Sequence, residues 1–486
     1  MVAVQPIESE VAEERPAPIE PPATPANVFA ARMVAIAVAS ALLMEFVDAT
    51  ALSTALPTLA RAFHTDPIHL KLALTSYILA LAVVAPASGW VADRYGPRRV
   101  FLIAMGVFLA ASVMCGLSHS LGELVLFRIL QGLGGAMMTP VGRLIVVGAS
   151  PREQLVSAMS WYTMPALVGP LTGPAIAGLI LHFADWPFIF FVNVPIGILG
   201  MVAVMRFVPQ LKQPDPGRFD ILGFIIVAVG LTAMVGAAET IGVSLVPGWV
   251  QIAAAAIAVG SGVLFWRHSR RVQKPVLAIG LLRFATFRTS LAGGTLVRLG
   301  IGATPFLLPL LLQVGLGWTP LKAGLASAAM AVGILVFKPV APAIIRHFGF
   351  KRVLAVTNLI VAAATIAPGF FRASTPLWLI VAIFAAGGFF RSMQFTAINT
   401  IAFADVPVTA VSRATTLSTV VQQVGLALGI SFGALVLHLT RGAGGALTPD
   451  RFTLPFILVG AITLVAGPFY QTLAPDAGAN VSGHKG

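Results

Sequence analysis

Long apolar segments alternate with short polar connections along almost the whole chain. Fourteen segments are mostly apolar over about 20 residues, the length that an α-helix needs to cross a bilayer. We predict spanning helices at 30–56, 68–92, 100–119, 123–147, 154–181, 187–206, 220–241, 248–266, 289–315, 321–345, 353–371, 376–402, 413–438 and 452–473. The polar ends, 1–29 and 474–486, are predicted to be cytoplasmic tails, the first of them disordered.

The composition places these helices in a membrane. Hydrophobic residues make up 57% of the chain and charged residues only 10%, against about 25% charged in a soluble domain. We therefore predict an all-α integral membrane protein that has the lipid bilayer as a partner. The single cysteine, Cys115, excludes an intramolecular disulfide, and the chain has no Gly-Lys dipeptide and thus no ATP-binding P-loop.

The basic residues lie mainly in every second connection. With both termini in the cytoplasm, 21 of the 31 Lys and Arg residues fall on the cytoplasmic side and six, including Lys71, on the outer side. Because positive charge favours the cytoplasmic side, this distribution predicts that orientation. It also accounts for the net charge of +13 without a nucleic-acid partner. Glu239 is predicted to be interfacial, near the outer end of the seventh helix.

A basic loop that contains a glycine occurs twice. Gly96 follows the second predicted helix and Gly349 follows the tenth, at an offset of 253 residues. Such a recurrence suggests two duplicated halves, although short basic loops with glycine are also common by chance. The fold predicted in this way has two pseudo-symmetric six-helix bundles and two extra central helices, the seventh and eighth. Its parts are 30–206, a linker at 207–288, and 289–473.

Four motifs bring polar or small residues into or beside the predicted helices. The connection after the second helix contains Gly89, Asp93, Arg94, Gly96, Arg98 and Arg99. The fourth helix contains Arg128 and Gln131, and the fifth contains Gly169, Pro170, Gly173, Pro174 and Gly178. The first helix contains Glu45, Asp48, Thr50, Ser53, Thr54 and Pro57. Together these motifs resemble the major facilitator superfamily, and within it the fourteen-helix drug:proton antiporter branch, over about residues 30–473.

The resemblance implies roles for two of the motifs. The glycine-rich and basic connection would be a conformational latch. Its glycines would permit a tight turn and a close helix approach, Asp93 would cap a neighbouring helix, and the arginines would pair across the two halves. Its competing interpretation is a plain basic loop on the cytoplasmic side. The motif of the fifth helix would be an antiporter hinge or seal, since its small residues give one smooth packing face and its prolines bend the helix. Ordinary close packing is the alternative there.

The first and fourth helices carry the candidate proton-coupling residues, Asp48, Glu45 and Arg128. Counting 1.5 Å per residue puts Asp48 at a depth within reach of Arg128, and Glu45 shares a helix face with Asp48. We expect Asp48 to exchange the proton, although a static ion pair with Arg128 is the competing interpretation. Glu45 and Ser53 depart from the branch pattern, in which a neutral residue and an asparagine are common.

The resemblance also implies a central cavity lined by the first, fourth, ninth and twelfth helices. The embedded ionisable residues are Glu45, Asp48, Arg128, Arg298, Lys338 and Arg391, and all except Lys338 fall on these four helices. Such residues usually face a wet cavity or a charged partner. The predicted substrate cavity therefore contains Glu45, Gln131, Arg298, Arg391 and Gln394. Lys338 is expected to reach back to the cytoplasm.

The expected function is secondary active export, not enzymatic catalysis. A proton gradient would drive alternating access, with no cofactor or metal, and expel a drug or another amphipathic small molecule. Embedded cations outnumber carboxylates, so export of an anionic or zwitterionic metabolite, such as an amino acid or organic acid, stays open. We expect a monomer in a bacterial plasma (inner) membrane; engagement of a periplasmic adaptor stays open.

Overall fold

The computed structural model describes residues 25–150, 154–210, 217–241, 247–337, 340–407, 410–442 and 445–479. Most of the two predicted tails, and Lys338, lie outside these residues. Every regular element within them is helical. The α-helices are α1 Pro25–Ala62, α2 Lys71–Tyr95, α3 Pro97–Gly116, α4 Leu121–Ala149, α5 Leu155–Thr163, α6 Pro165–Phe183, α7 Phe188–Phe191, α8 Asn193–Phe207, α9 Ile221–Thr240, α10 Gly248–Ser269, α11 Ala285–Leu310, α12 Pro320–Phe337, α13 Ala341–Ile366, α14 Leu377–Ile401, α15 Val411–Arg441, α16 Thr453–Leu464 and α17 Gly467–Gln471.

Twelve helical stretches in the described ranges are long and apolar enough to cross a membrane. The predicted spans 154–181 and 321–345 are not among them; their described parts contain the shorter apolar helices Thr172–Phe183 and Pro320–Val336. Proline at 165 has no backbone N–H, so the hydrogen-bond ladder breaks between α5 and α6. The all-helical membrane fold is confirmed, and the count of fourteen spans stays a prediction.

Helix pairs in the described ranges join the first 207 residues to the part that begins at α11. Helix α2 packs on α15, α6 packs on α12, and α1 packs mainly on α11 and also contacts α12. Helices α9 and α10 pack on each other, and α9 also contacts both α2 and α15. The predicted extra pair thus lies beside the seam between α2 and α15.

The buried apolar residues are arranged differently at the two ends of these helices. We call the end that contains the α1–α2 connection the Asp66 end, and the opposite end the Gly96 end. One apolar cluster includes Leu59 of α1 and Leu437 of α15, and so draws on both parts of the chain. Two other clusters draw on residues 34–208 alone or 297–473 alone. The two parts therefore share a core at the Asp66 end and have separate cores elsewhere.

Gly96 and Gly349 have the same kind of backbone geometry. Gly96 separates α2 from α3 with φ 89° and ψ 127°, and Gly349 bends α13 with φ 73° and ψ 161°. These positive φ values are readily available only to glycine. The two loops that align in sequence thus contain matching turns.

Candidate functional site

A buried polar network surrounds the carboxylate of Asp48. Arg128 of α4 donates from Nη1 to Asp48 Oδ2 over 2.5 Å, and Gln131 donates from Nε2 to Oδ1 over 2.9 Å. Asn193, the first residue of α8, also donates to Oδ1 over 2.9 Å. All four side chains are 0% exposed. The contact between Asp48 and Arg128 that the depth count predicts is therefore present, and two amides donate to the other carboxylate oxygen.

Asn193 is a member of the network that sequence reasoning missed. Its Nδ2 also donates to Ser112 Oγ of α3 over 3.0 Å, so one amide joins α1, α3 and α8. The available signal was an asparagine within the apolar segment 187–206, since a polar side chain in a spanning helix needs a partner. The sequence alone could not identify Asp48, on another helix, as that partner.

Arg128 connects this network to α2 and to a cavity. Its Nε donates to the Ala73 carbonyl oxygen over 3.1 Å, and its guanidinium carbon lies 4.2 Å from the centroid of the Tyr77 ring. Gly132 permits this approach of α2 to α4, because a Cβ there would lie 2.7 Å from the Tyr77 carbonyl oxygen. Arg128 Nη2 and the Tyr77 hydroxyl are buried without a hydrogen-bond partner. Arg128 thus keeps one donor unused at the cavity wall.

The cavity has a volume of about 340 Å³ and lies between the two parts of the chain. Its ionisable wall residues in the described part of the chain are Glu45, Arg128, Arg391 and Tyr77. Glu45 accepts a hydrogen bond from Thr139 Oγ1 over 2.9 Å. The rest of the wall is mainly apolar and includes Phe46, Ile78, Leu81, Ile301, Leu308, Met330, Ile334, Leu426 and Ile430. Such a wall suits a ligand with a large apolar part and few polar groups.

Three residues predicted to line the cavity do not line it. Gln131 is enclosed behind Arg128 in the Asp48 network. Arg298 is 3% exposed and donates to Asn399 Oδ1 over 3.0 Å. Gln394 is 0% exposed and donates to Asn358 Oδ1 over 3.0 Å. In each case a hydrogen-bond partner lies in the same part of the chain, although Arg298 Nε and Gln394 Oε1 are buried without one. Helical spacing alone could not reveal these partners.

The predicted hinge motif lies where α6 meets α1 and α12. A Cβ at Gly169 would lie 2.4 Å from Phe46 Cβ, and one at Gly173 would lie 1.9 Å from Thr50 Oγ1. A Cβ at Gly178 would lie 2.9 Å from the backbone of α12. Pro174 lines the cavity, while the side chain of Pro170 lies outside the described residues. The motif therefore provides close packing on both α1 and α12.

The predicted latch residues make few contacts in this conformation. Arg98 donates from Nη2 to the Met205 carbonyl oxygen of α8 over 2.5 Å. Within the described ranges, the side chains of Asp93, Arg94 and Arg99 have no hydrogen-bond or ion-pair partner. Gly89 would have open space around an added Cβ. The expected helix cap, close helix approach and pairing across the halves are therefore absent here.

Lys71 and Glu239 are buried, contrary to their predicted positions at the outer surface. Lys71 Nζ lies 3.3 Å from Glu239 Oε2 and donates to the Glu239 carbonyl oxygen over 2.9 Å. Ser431 Oγ of α15 donates to Glu239 Oε1 over 2.5 Å. Glu239 of α9 therefore bridges α2 and α15. A position near a helix end had suggested exposure, but the packing of α9 over the seam covers it.

Two further polar contacts cross between the parts at the Asp66 end. Asp66 forms an ion pair with Arg441, at the end of α15. Gln313 donates from Nε2 to the Thr54 carbonyl oxygen of α1 over 2.7 Å. Together with the shared apolar core, these contacts close the Asp66 end.

Comparison with known proteins agrees with this architecture. The sequence profile of the Major Facilitator Superfamily matches residues 38–288 and 290–486. The "Putative multidrug resistance protein MdtD" of Klebsiella pneumoniae subsp. pneumoniae is 33% identical over 452 residues, which cover 91% of this chain and 95% of the relative. The protein of the same name from Escherichia fergusonii is 38% identical over 406 residues, which cover 83% of this chain and 85% of the relative.

Solved transporters share the fold at low sequence identity. A peptide transporter POT in complex with sulfate matches with a TM-score of 0.68 and 15% identity, over 93% of this chain and 95% of that one. A D-xylose–proton symporter matches with a TM-score of 0.65 and 14% identity, over 93% of this chain and 99% of that one. From this profile, these relatives and the helical membrane fold, we conclude that the chain belongs to the Major Facilitator Superfamily and is a multi-pass membrane transporter, not an enzyme.

Proposed function

We propose that this transporter is a proton-coupled antiporter that exports drugs or other amphipathic small molecules by alternating access. The observation that carries the proposal is the Asp48–Arg128 pair, which is withdrawn from water while Arg128 also forms part of the cavity wall. An acid in that position can lose or gain a proton only when its partners or its access to water change. Binding in the cavity and protonation of Asp48 are therefore linked through Arg128.

The proposed cycle uses these residues in a fixed order. With Asp48 ionised, Arg128 is held by the acid and by Gln131. Protonation of Asp48 removes the charge that holds Arg128, so the guanidinium can turn toward the cavity. The approach of a substrate or a change of conformation returns Arg128 to Asp48 and expels the proton. Glu45, three residues before Asp48 and on the cavity wall, assists by exchanging protons with the cavity. No cofactor is required, since the proton gradient supplies the energy.

Alternating access in this proposal opens and closes the two ends in turn. The closed Asp66 end is assigned to the outer side of the membrane by the distribution of basic residues. The structure then corresponds to a state that is open or occluded toward the cytoplasm. The connection around Gly96 would form its latch contacts in the opposite state, which is consistent with their absence here.

The proposal includes the finer membrane layout. We assign fourteen spans, with six-helix bundles at 30–206 and 289–473 and the extra pair within 207–288. Both termini are assigned to the cytoplasm, and the bacterial relatives support an inner-membrane location. The transporter is proposed to act as a monomer, and its outer connections leave engagement of a periplasmic adaptor open.

The cargo class follows from the apolar cavity wall and from the relatives that are named as multidrug resistance proteins. A static ion pair between Asp48 and Arg128 is the competing interpretation of the network. That interpretation predicts that neutralising Asp48 damages folding, whereas the antiport proposal predicts that it uncouples transport.

Proteoliposomes that contain a pH-sensitive dye test the proposal. Ethidium and 1-naphthaleneacetate serve as cationic and anionic probes, and Asp48→Asn is compared with Glu123→Gln, an exposed carboxylate on α4. We expect an imposed pH gradient to drive probe transport in the wild type and in Glu123→Gln, but not in folded Asp48→Asn. Transport that is indifferent to the gradient, or that persists unchanged in Asp48→Asn, would reject the proposed coupling.

A further inference from the structure

The chain contains the same polar pattern on two helices that line the cavity. Residues 127–131 of α4 read Phe-Arg-Ile-Leu-Gln, and residues 390–394 of α14 read Phe-Arg-Ser-Met-Gln. Both arginines, Arg128 and Arg391, belong to the cavity wall. The two helices thus bring matching guanidinium groups to one space.

The two arginines differ in what neutralises them. Arg128 is paired with Asp48 of α1. Arg391 lies 3.4 Å from Thr304 Oγ1 of α11 through Nη2 and 3.4 Å from Met330 Sδ through Nη1. No described carboxylate forms an ion pair with it. The C-terminal part therefore repeats the arginine without the acid.

An arginine in this position remains charged, because its guanidinium keeps its proton in proteins. A charge held within the membrane region is costly unless a partner or water compensates it. A hydroxyl and a thioether compensate it only weakly, and neither carries the opposite charge. The Arg391 guanidinium therefore lacks a negatively charged partner, and an anionic ligand can supply that charge.

We propose that Arg391 binds the anionic group of the transported molecule, and that the cargo is an amphipathic organic acid. A guanidinium binds a carboxylate through two parallel hydrogen bonds. The volume of about 340 Å³ and the apolar wall formed by residues such as Leu308 and Leu426 accommodate its hydrophobic body. Glu45 on the same wall disfavours molecules with several negative charges. This inference rests on the proposed export function and specifies its substrate.

Matched acid and amide probes isolate the charge of the ligand from its shape. Binding of 1-naphthaleneacetate and 1-naphthaleneacetamide to the purified full-length protein is measured by calorimetry. In the wild type we expect the acid to bind about 10- to 100-fold more tightly than the amide, the range for a hydrogen bond between charged groups. In Arg391→Gln the preference should fall to roughly threefold or less, while Arg391→Lys should retain part of it.

Arg298→Gln is the control, because Arg298 is also a buried arginine of the C-terminal part but does not line the cavity. It should keep the preference for the acid. Equal binding of acid and amide by the wild type, across several such probe pairs, would overturn the proposal, and so would an unchanged preference in Arg391→Gln. The outcome is separable from antiport: proton-coupled export of ethidium without a preference for acids rejects only the anion site. Preferred acid binding without proton movement rejects only the coupling.

Discussion

Lys71 and Glu239 form an ion pair, with Nζ 3.3 Å from Oε2, at the junction of α2, α9 and α15. Both side chains are withdrawn from water, at 2% and 8% exposure. Ser431 completes the junction from α15. The extra helix α9 therefore has a polar attachment to both parts of the transporter.

This junction predicts a strong effect of removing one partner. Glu239→Ala should lower the free energy of unfolding by about 3–5 kcal/mol, because it leaves Lys71 as an uncompensated buried charge. The double variant Lys71→Met with Glu239→Gln should recover much of that loss. Thermal unfolding in detergent measures both variants.

An exposed ion pair provides the control for that comparison. Arg372 and Asp450 are 36% and 78% exposed, so Asp450→Ala should change stability by no more than about 1 kcal/mol. Equal losses for Glu239→Ala and Asp450→Ala would show that the buried junction is not important for stability.

Close packing of α6 on α12 predicts a second effect. A Cβ at Gly178 would lie 2.9 Å from the backbone of α12, so Gly178→Ala forces the helices apart. We expect a loss of about 1–3 kcal/mol and slower transport. Gly236→Ala in α9 is the matched control, since an added Cβ there has no neighbour within 4 Å. Higher stability is expected for that control, because alanine favours a helix. Identical behaviour of the two variants would refute the packing role of the motif.

The matching turns at Gly96 and Gly349 predict matching costs. Alanine at either position should destabilise the protein by about 1–3 kcal/mol, because the required backbone conformation is strained for a residue with a Cβ. Gly89→Ala should be tolerated, since Gly89 lies within α2 and has open space around it. Thermal unfolding of the three variants checks the predicted order of their stabilities. If Gly89→Ala were the most damaging, the close helix approach predicted from sequence would be correct after all.

Asn193 provides a further prediction. Its amide bonds both Asp48 and Ser112, so Asn193→Ala should cost about 1–3 kcal/mol through polar groups that lose a partner in a buried place. Transport by Asn193→Ala should also be impaired more than transport by Asn399→Ala. The second variant removes the hydrogen-bond partner of Arg298, away from the cavity wall. Unimpaired transport in Asn193→Ala would remove this residue from the coupling network.

Much of the architecture could be predicted because its determinants are local. Apolar runs of spanning length gave the helices, and helical rise alone brought Asp48 to the depth of Arg128. The break between α5 and α6 at Pro165 was harder, since the apolar composition continues through it.

Side-chain surroundings could not be predicted in the same way. Arg298 and Gln394 lie on the helices expected to form the cavity, but partners on other segments turn them away from it. The positions of Lys71 and Glu239 near helix ends predict an interfacial location, whereas the packing of α9 over the seam, which buries them, cannot be predicted from sequence. These outcomes depend on packing between distant segments, which one sequence does not specify by pattern alone.

The central claim is that substrate binding and proton exchange at Asp48 are coupled. The most direct measurement is proton release on addition of 1-naphthaleneacetate or ethidium to purified protein in weakly buffered detergent solution. The account predicts that at least one probe releases protons from the wild type and that Asp48→Asn, while still binding that probe, releases none. Binding without proton release in the wild type, or equal release from the wild type and Asp48→Asn, would contradict it.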